Sequence, residues 1–174
     1  MKGCGECFMV QQFVDFIMSV FGNLFGVFIL SMSPILELRG SIPVGYALGR
    51  YAWWQVYLAA VLGNTIVIPF AVFFLRKIFR LMRKIKIFSR LIDRIENKAQ
   101  KNADKIRNGI KIGLYFFVAI PLPGTGAWTG SLVASFLDMK LKDCFWPIFL
   151  GVLTAGAITT IVVYGGVGIL RSIF

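Results

Sequence analysis

Trp53 to Leu75, "WWQVYLAAVLGNTIVIPFAVFFL", runs for 23 residues without a charged side chain, and Cys144 to Leu170, "CFWPIFLGVLTAGAITTIVVYGGVGIL", does so for 27. About 20 apolar residues carry a helix across the hydrocarbon of a bilayer, so each run reads as a spanning helix, the first with Pro69 as a possible kink. Composition agrees. Of 174 residues, 57% are hydrophobic and 16% charged, below the roughly 25% charged of soluble domains. The chain reads as an all-α integral membrane protein, and its length leaves room for one compact membrane domain, residues 1–174.

Two further apolar stretches are interrupted. "SPILELRGSIP" (Ser33 to Pro43) is broken by Pro34, Gly40 and Pro43, and "PLPGTGAWTGS" (Pro121 to Ser131) by Pro121, Pro123, Gly124 and Gly126. The arms around them, such as "FGNLFGVFILS" (Phe21 to Ser31) and "GIKIGLYFFVAI" (Gly109 to Ile120), are too short to span. Short arms on both sides of a break predict a re-entrant helical hairpin. Its irregular backbone must lie inside protein or against a watery cavity, because lipid offers no hydrogen bonds. The alternative is a pair of ordinary connecting loops outside the bilayer.

At an offset of 88, "ALGRYAWWQVYLAAVLG" (Ala47 to Gly63) falls on "SFLDMKLKDCFWPIFLG" (Ser135 to Gly151), and the two breaks fall on each other at nearly the same offset. Interrupted apolar segments at matching places in two halves are the pattern of a repeat-built transporter. Each half is expected to hold a leading helix, a hairpin and a spanning helix: repeat one at about 8–75, repeat two at about 88–172, with a basic segment at about 76–108. The leading helices are "MVQQFVDFIMSVF" (Met9 to Phe21) and the amphipathic "FSRLIDRIENKAQKNADKIRN" (Phe88 to Asn108). Residues 8–31 also admit a second reading, as one continuous spanning helix.

Charge sets the orientation. Arg76 to Lys111 holds 13 of the 19 Lys and Arg residues. A cytoplasmic membrane-flanking loop accounts for that more simply than nucleic-acid binding or a lipid-headgroup patch. One crossing per half inverts the second half, which puts 15 Lys and Arg inside and 3 outside, with Arg39 in the first turn and both termini outside. The two hairpin turns are then expected to approach from opposite leaflets. Gly22/Gly26, Gly45/Gly49 and Gly126/Gly130 are GxxxG pairs that permit close helix packing, and Arg50 falls opposite Asp138 in the repeat. Cys4, Cys7 and Cys144 without any histidine predict no metal site and no cofactor, and no signal peptide is expected.

Glu37 and Arg39 are the charges in the first break. Translocon scales set about 2.5 to 3.5 kcal/mol against each at a helix centre, so a function is the default reading and mutual structural pairing the alternative. Arg39 offers a forked donor suited to phosphate or carboxylate, and Glu37 a proton or cation site. In the second break, Thr125, the Trp128 indole, Thr129 and the backbone N–H groups near Gly124 and Gly126 are candidates to meet an anion. Asn64 and Thr65 are lesser candidates.

"PILELRGSIPVGYALG", the basic central segment and "PLPGTGAWTGSLVASFLDM" resemble the small multidrug export protein family. The double-hairpin plan is more distantly similar to the DedA (VTT) superfamily, which includes polyprenyl-phosphate and phospholipid translocases. The resemblance implies a central site of Glu37, Arg39, Gly40 and Pro43 with Pro121, Pro123, Gly124, Thr125 and Gly126; Pro34, Asn64, Trp128 and Thr129 stand second. The uncharged second turn departs from the DedA pattern of acidic and arginine residues on both hairpins.

The expectation is a homodimeric, multi-pass transporter in a prokaryotic plasma membrane, surrounded by membrane lipids and moving an anionic or lipid-linked substrate with proton coupling at Glu37. Export of small amphiphiles is the rival transport reading, and a non-transporting scaffold the rival of another class. No histidine, paired acids or nucleophile and base stand at matching turns, so catalysis is not expected.

Overall fold

The computed structural model describes residues 3–21, 23–82, 103–122 and 124–166, and every regular element among them is helical. In chain order these are α1 (Gly3–Phe21), α2 (Asn23–Met32), α3 (Glu37–Ala47), α4 (Trp53–Met82), α5 (Ala103–Ala119), α6 (Ala127–Phe136) and α7 (Leu141–Thr160), the last continued by a π-helical turn, Ile161–Gly165. Trp53–Phe79 and Leu141–Gly165 are long and apolar enough to cross a membrane. The first extends past the expected end at Leu75: Arg76 to Met82 is helix, where a loop had been expected. Most of the expected amphipathic helix Phe88 to Asn108 lies outside the described residues.

The chain divides into two compact units, Met1–Asn64 with Gly156–Phe174, and Thr65–Ala155. Both boundaries fall inside a long helix, one in α4 and one in α7.

In the first unit the run from Met9 to Ser31 bends. A methyl placed on Gly26 would meet the Met18 sulfur at 2.6 Å, yet eight residues along a straight helix span about 12 Å. The chain therefore turns between Met18 and Gly26, which favours a leading helix plus a hairpin arm over one spanning helix. α2 packs on α3, with Val27, Leu30, Leu38 and Ile42 fully or almost fully buried. Within a bilayer such contacts stabilise through close van der Waals packing, because lipid tails are as apolar as the side chains themselves. α3 ends on Gly49, whose left-handed φ of +63° suits a residue without Cβ, and its N–H reaches the Tyr46 carbonyl at 3.0 Å. Nothing approaches a methyl built on Gly49, so this glycine ends a helix and does not serve helix contact. α4 then starts with the Gln55 side chain accepting from the Ala52 N–H at 3.0 Å, half of a capping box.

The second unit is held by glycines around one valine. Val118 on α5, almost fully buried, lies against Gly130 of α6 and Gly151 of α7; a methyl on either glycine would come within 2.7 Å of it. Lys111 pairs with Asp143 at 2.9 Å and the Tyr115 hydroxyl meets Thr154 at 3.2 Å, both tying α5 to α7. α6 ends at Asp138 (φ +50°), whose N–H bonds Ser135 O while Met139 N–H bonds Ala134 O, a Schellman ending. By conformation Asp138 therefore matches Gly49, one place from the Arg50 expected.

One contact recurs 88 residues apart. Gly63 on α4 lies so close to α2 that a methyl would strike the Phe28 carbonyl oxygen (2.5 Å) and the Ser31 hydroxyl. Gly151 on α7 stands to α5 in the same way, against the Tyr115 carbonyl oxygen (3.1 Å) and Val118.

Candidate functional site

α2 stops because Pro34 has no N–H to offer and disfavours helix at Ser33 before it. The Ser33 N–H bonds the Leu30 carbonyl at 3.1 Å, and the Ile35 N–H reaches the Ser33 hydroxyl at 3.3 Å. Glu37 N–H returns to Ser33 O (3.0 Å) and Gly40 N–H to Leu36 O (2.8 Å), so helix resumes within four residues. Pro34 is exposed, and Leu36 packs on Gly40 where a methyl would strike its side chain. Pro43, inside α3, cannot donate to the Arg39 carbonyl one turn back.

Glu37 takes a φ of +48°, a left-handed conformation that costs a residue with a side chain roughly 1–3 kcal/mol. Side chains two apart on a regular helix point away from each other. The left-handed step removes that restriction, and Glu37 Oε2 lies 3.2 Å from Arg39 Nη1. Both side chains are largely withdrawn from solvent, 10% and 16% exposed respectively.

Asn64, fully buried on α4, secures the break from outside. With its amide oriented by its partners, its nitrogen donates to the Ser31 carbonyl and its oxygen accepts from the Leu38 N–H, each at 3.0 Å. A helix leaves its last carbonyls and first N–H groups without internal partners. One amide thus satisfies an orphan at the end of α2 and another at the start of α3. Asn64 was a lesser binding candidate by sequence, and its geometry is that of a structural clip.

The second break closes on itself. The Thr125 hydroxyl lies 2.9 Å from Ile120 O and 3.0 Å from Leu122 O, and the Gly126 N–H donates to the Thr129 hydroxyl at 2.7 Å. Gly124 is left-handed (φ +85°) and exposed, as is Pro121; Gly126 is buried at the start of α6, and Trp128 is half-buried. Pro123 lies outside the described residues. The threonine hydroxyls read from sequence as anion donors are engaged with the turn's own backbone.

Glu37, Arg39, Gly40 and Asn64 thus gather at the first break within one unit, and the second-break residues belong to the other unit. Reading the sequence missed two things here. Left-handed Glu37 gives no compositional signal, since glycine is the usual mark of that conformation. Asn64 works through backbone groups some thirty residues away, which spacing alone does not reveal.

The profile of a family described as "Putative small multi-drug export protein" matches residues 37–158, from Glu37 in the first break well into α7. No curated protein and no solved structure matches the chain.

Proposed function

The chain belongs to that family of small multi-drug export proteins, and on this premise we propose that it exports small amphiphilic molecules, with the Glu37–Arg39 pair of the first break as the element that answers to cargo. The membrane setting follows from the family and the two helices able to span. The observation that carries the reading is a withdrawn ion pair kept at 3.2 Å by a strained backbone at a Pro-broken helix. Such strain persists only where surrounding structure holds it, and it concentrates at sites that switch or bind.

In this reading a cargo anion takes Arg39, or a proton takes Glu37, and either event opens the pair. The guanidinium fork also suits a lipid-linked phosphate, the second reading. Neither route makes or breaks a covalent bond. The chain works as a homodimer in a prokaryotic plasma membrane, and Phe70, Phe73 and Phe74, all exposed on α4, supply apolar surface for lipid or a second copy. The basic segment 76–111 faces the cytoplasm.

Proteoliposomes test this. Uptake of a fluorescent amphiphile and of labelled polyprenyl phosphate is measured with and without a pH gradient, for the wild type, Glu37→Gln and Arg39→Ala. Amphiphile movement that falls at least about tenfold in Arg39→Ala supports the reading. Equal rates in all three proteins sink it, and movement of polyprenyl phosphate alone transfers the site to the lipid-linked reading. For topology, Arg50→Cys and Lys140→Cys, both at exposed positions, are labelled in a cysteine-free background. Labelling of Lys140→Cys from the cytoplasmic side only and of Arg50→Cys from the opposite side only is expected.

A further inference from the structure

α1 carries three different faces. Met9, Phe13, Phe16 and Val20 are exposed, at 63, 39, 61 and 57%. Gln11, Gln12, Asp15 and Ser19 are exposed as well, whereas Val10, Val14, Ile17 and Met18 are wholly or partly withdrawn. At about 100° per residue these three groups centre on directions roughly a third of a turn apart. The withdrawn face is the one that packs: α1 lies on α2, with the Met18 sulfur where a methyl on Gly26 would fall. On the polar face two bonds are local, from the Gln11 amide to the Asp15 carboxylate at 3.1 Å and from the Ser19 hydroxyl to Phe16 O at 2.8 Å.

The spanning helices show the contrast. Every exposed residue of α4 from Trp53 to Phe74 is apolar, and so is every one of α7 from Trp146 to Val162. That is the surface of a helix whose open side meets acyl chains. The 19 residues of α1 make about 28 Å of helix, close to the hydrocarbon thickness of about 30 Å, so length does not exclude a span. The polar stripe does. Set across the bilayer, α1 would carry Asp15 and two glutamine amides into hydrocarbon, where an aspartate at a helix centre costs about 2.5 to 3.5 kcal/mol. Set in water, it would leave a continuous stripe of four large apolar side chains bare. One packed, one apolar and one polar face together suit the boundary between headgroups and acyl chains.

We propose that α1 lies in the plane of the membrane surface, with Met9, Phe13, Phe16 and Val20 among the upper acyl carbons and Gln11, Gln12, Asp15 and Ser19 in water. Residues 3–21 include no Lys or Arg, so the seat is made by apolar insertion and not by attraction to anionic lipid. Because Met18 rests on Gly26, this seat also fixes the level of α2, the arm that ends at the first break. The inference needs only a membrane and stands apart from the export reading.

Depth along the helix tests it. Met9→Cys, Phe13→Cys, Phe16→Cys, Val20→Cys, Gln12→Cys and Ser19→Cys are introduced one at a time into the cysteine-free full-length chain, labelled with the fluorophore NBD and reconstituted in phosphatidylcholine vesicles. Lipids bearing a nitroxide at graded positions report depth, and iodide reports contact with water. The first four labels are expected at one common depth, about 5 to 10 Å into the headgroup–acyl boundary, and the last two are expected to be quenched by iodide. A depth that changes steadily by about 16 Å from position 9 to position 20 means a spanning helix. Labels on the apolar face that no nitroxide lipid reaches mean that a second copy covers it. Either result overturns the proposal. Adding anionic phosphatidylglycerol should leave the depth unchanged, and deeper insertion in anionic vesicles overturns the seat by apolar insertion alone. All six positions are exposed, so the labels displace no packed side chain. Arg39→Ala in the same labelled chains keeps the common depth even if it transports nothing, so failure of the membrane seat and failure of export are told apart.

Discussion

The two breaks solve the same problem with different means. Each must turn an apolar helix back on itself and find partners for the backbone groups that the turn exposes. The second does so locally, through Thr125, Thr129 and a left-handed glycine, and carries no charge. The first carries two charges, places a glutamate rather than a glycine in the left-handed conformation, and takes its clip from Asn64 on α4. The described hydroxyl bonds of the threonine-and-glycine turn stay within the turn. A turn that holds an ion pair under strain has its ends fixed from outside, the difference on which the proposed role of the first break rests.

The sharpest way to break this comparison is to remove a charge. Arg39→Ala removes the guanidinium 3.2 Å from Glu37 and should lower stability by about 3 kcal/mol, the order expected when one member of a withdrawn ion pair is deleted. Chemical unfolding in micelles measures it, and a loss below 1 kcal/mol would mean that the pair behaves as a surface contact. Asn64→Val comes next. It strips partners from Ser31 O and Leu38 N–H together, for an expected loss of about 3 kcal/mol. Increased proteolysis near residues 33–37 should accompany it; an unchanged cleavage pattern would deny Asn64 its role as clip.

Glycine contacts offer a finer comparison between the units. Gly63→Ala drives a methyl to 2.5 Å from a carbonyl oxygen, which is backbone and yields little, and should cost about 2 kcal/mol. Gly151→Ala meets the Val118 Cβ at 2.7 Å and the Tyr115 carbonyl oxygen at 3.1 Å, a slightly looser approach than at Gly63 but again to atoms that the backbone fixes, so about 1.5 kcal/mol is expected. Equal losses in thermal unfolding would remove the distinction. The smallest effect should come from Thr125→Val, which deletes a hydroxyl that lies against the Ile120 and Leu122 carbonyls of its own turn, at about 1 kcal/mol and without loss of transport. Abolished transport with intact folding would move the functional site toward the second break.

Much of the architecture was legible because lipid is an unforgiving solvent. Charge-free runs longer than a bilayer and apolar arms too short to cross it leave few options, and α4, α7 and both breaks follow from that. Helix ends were less legible. Arg76 to Met82 continues α4 because nothing in those residues stops a helix, although their charge reads as loop. The pairing of Gly63 with Gly151 was visible as an alignment, and its content, close approach to α2 and α5, required coordinates. Glu37 and Arg39 were recognisable as costly charges, yet the left-handed step that lets them meet was hidden, since it depends on how Pro34 ends one helix and Asn64 begins the next.

The interrupted make-up of the first unit bears on how the protein is made. Thr65–Ala155 is one continuous stretch, whereas the unit with the charged break takes its last piece from Gly156 onward. A ribosome delivers all of the former before it can deliver the π-helical turn that brings Tyr164 to Tyr46. Closing a contact over so many residues carries the entropy of a long loop, and segments that fold as units tend to finish in order of synthesis. A nascent chain halted after Ala155 would therefore hold Glu37 and Arg39 on a helix whose neighbour had not yet arrived. Lesions near Tyr164 are accordingly expected to impair maturation of the charged break, more than a hundred residues upstream.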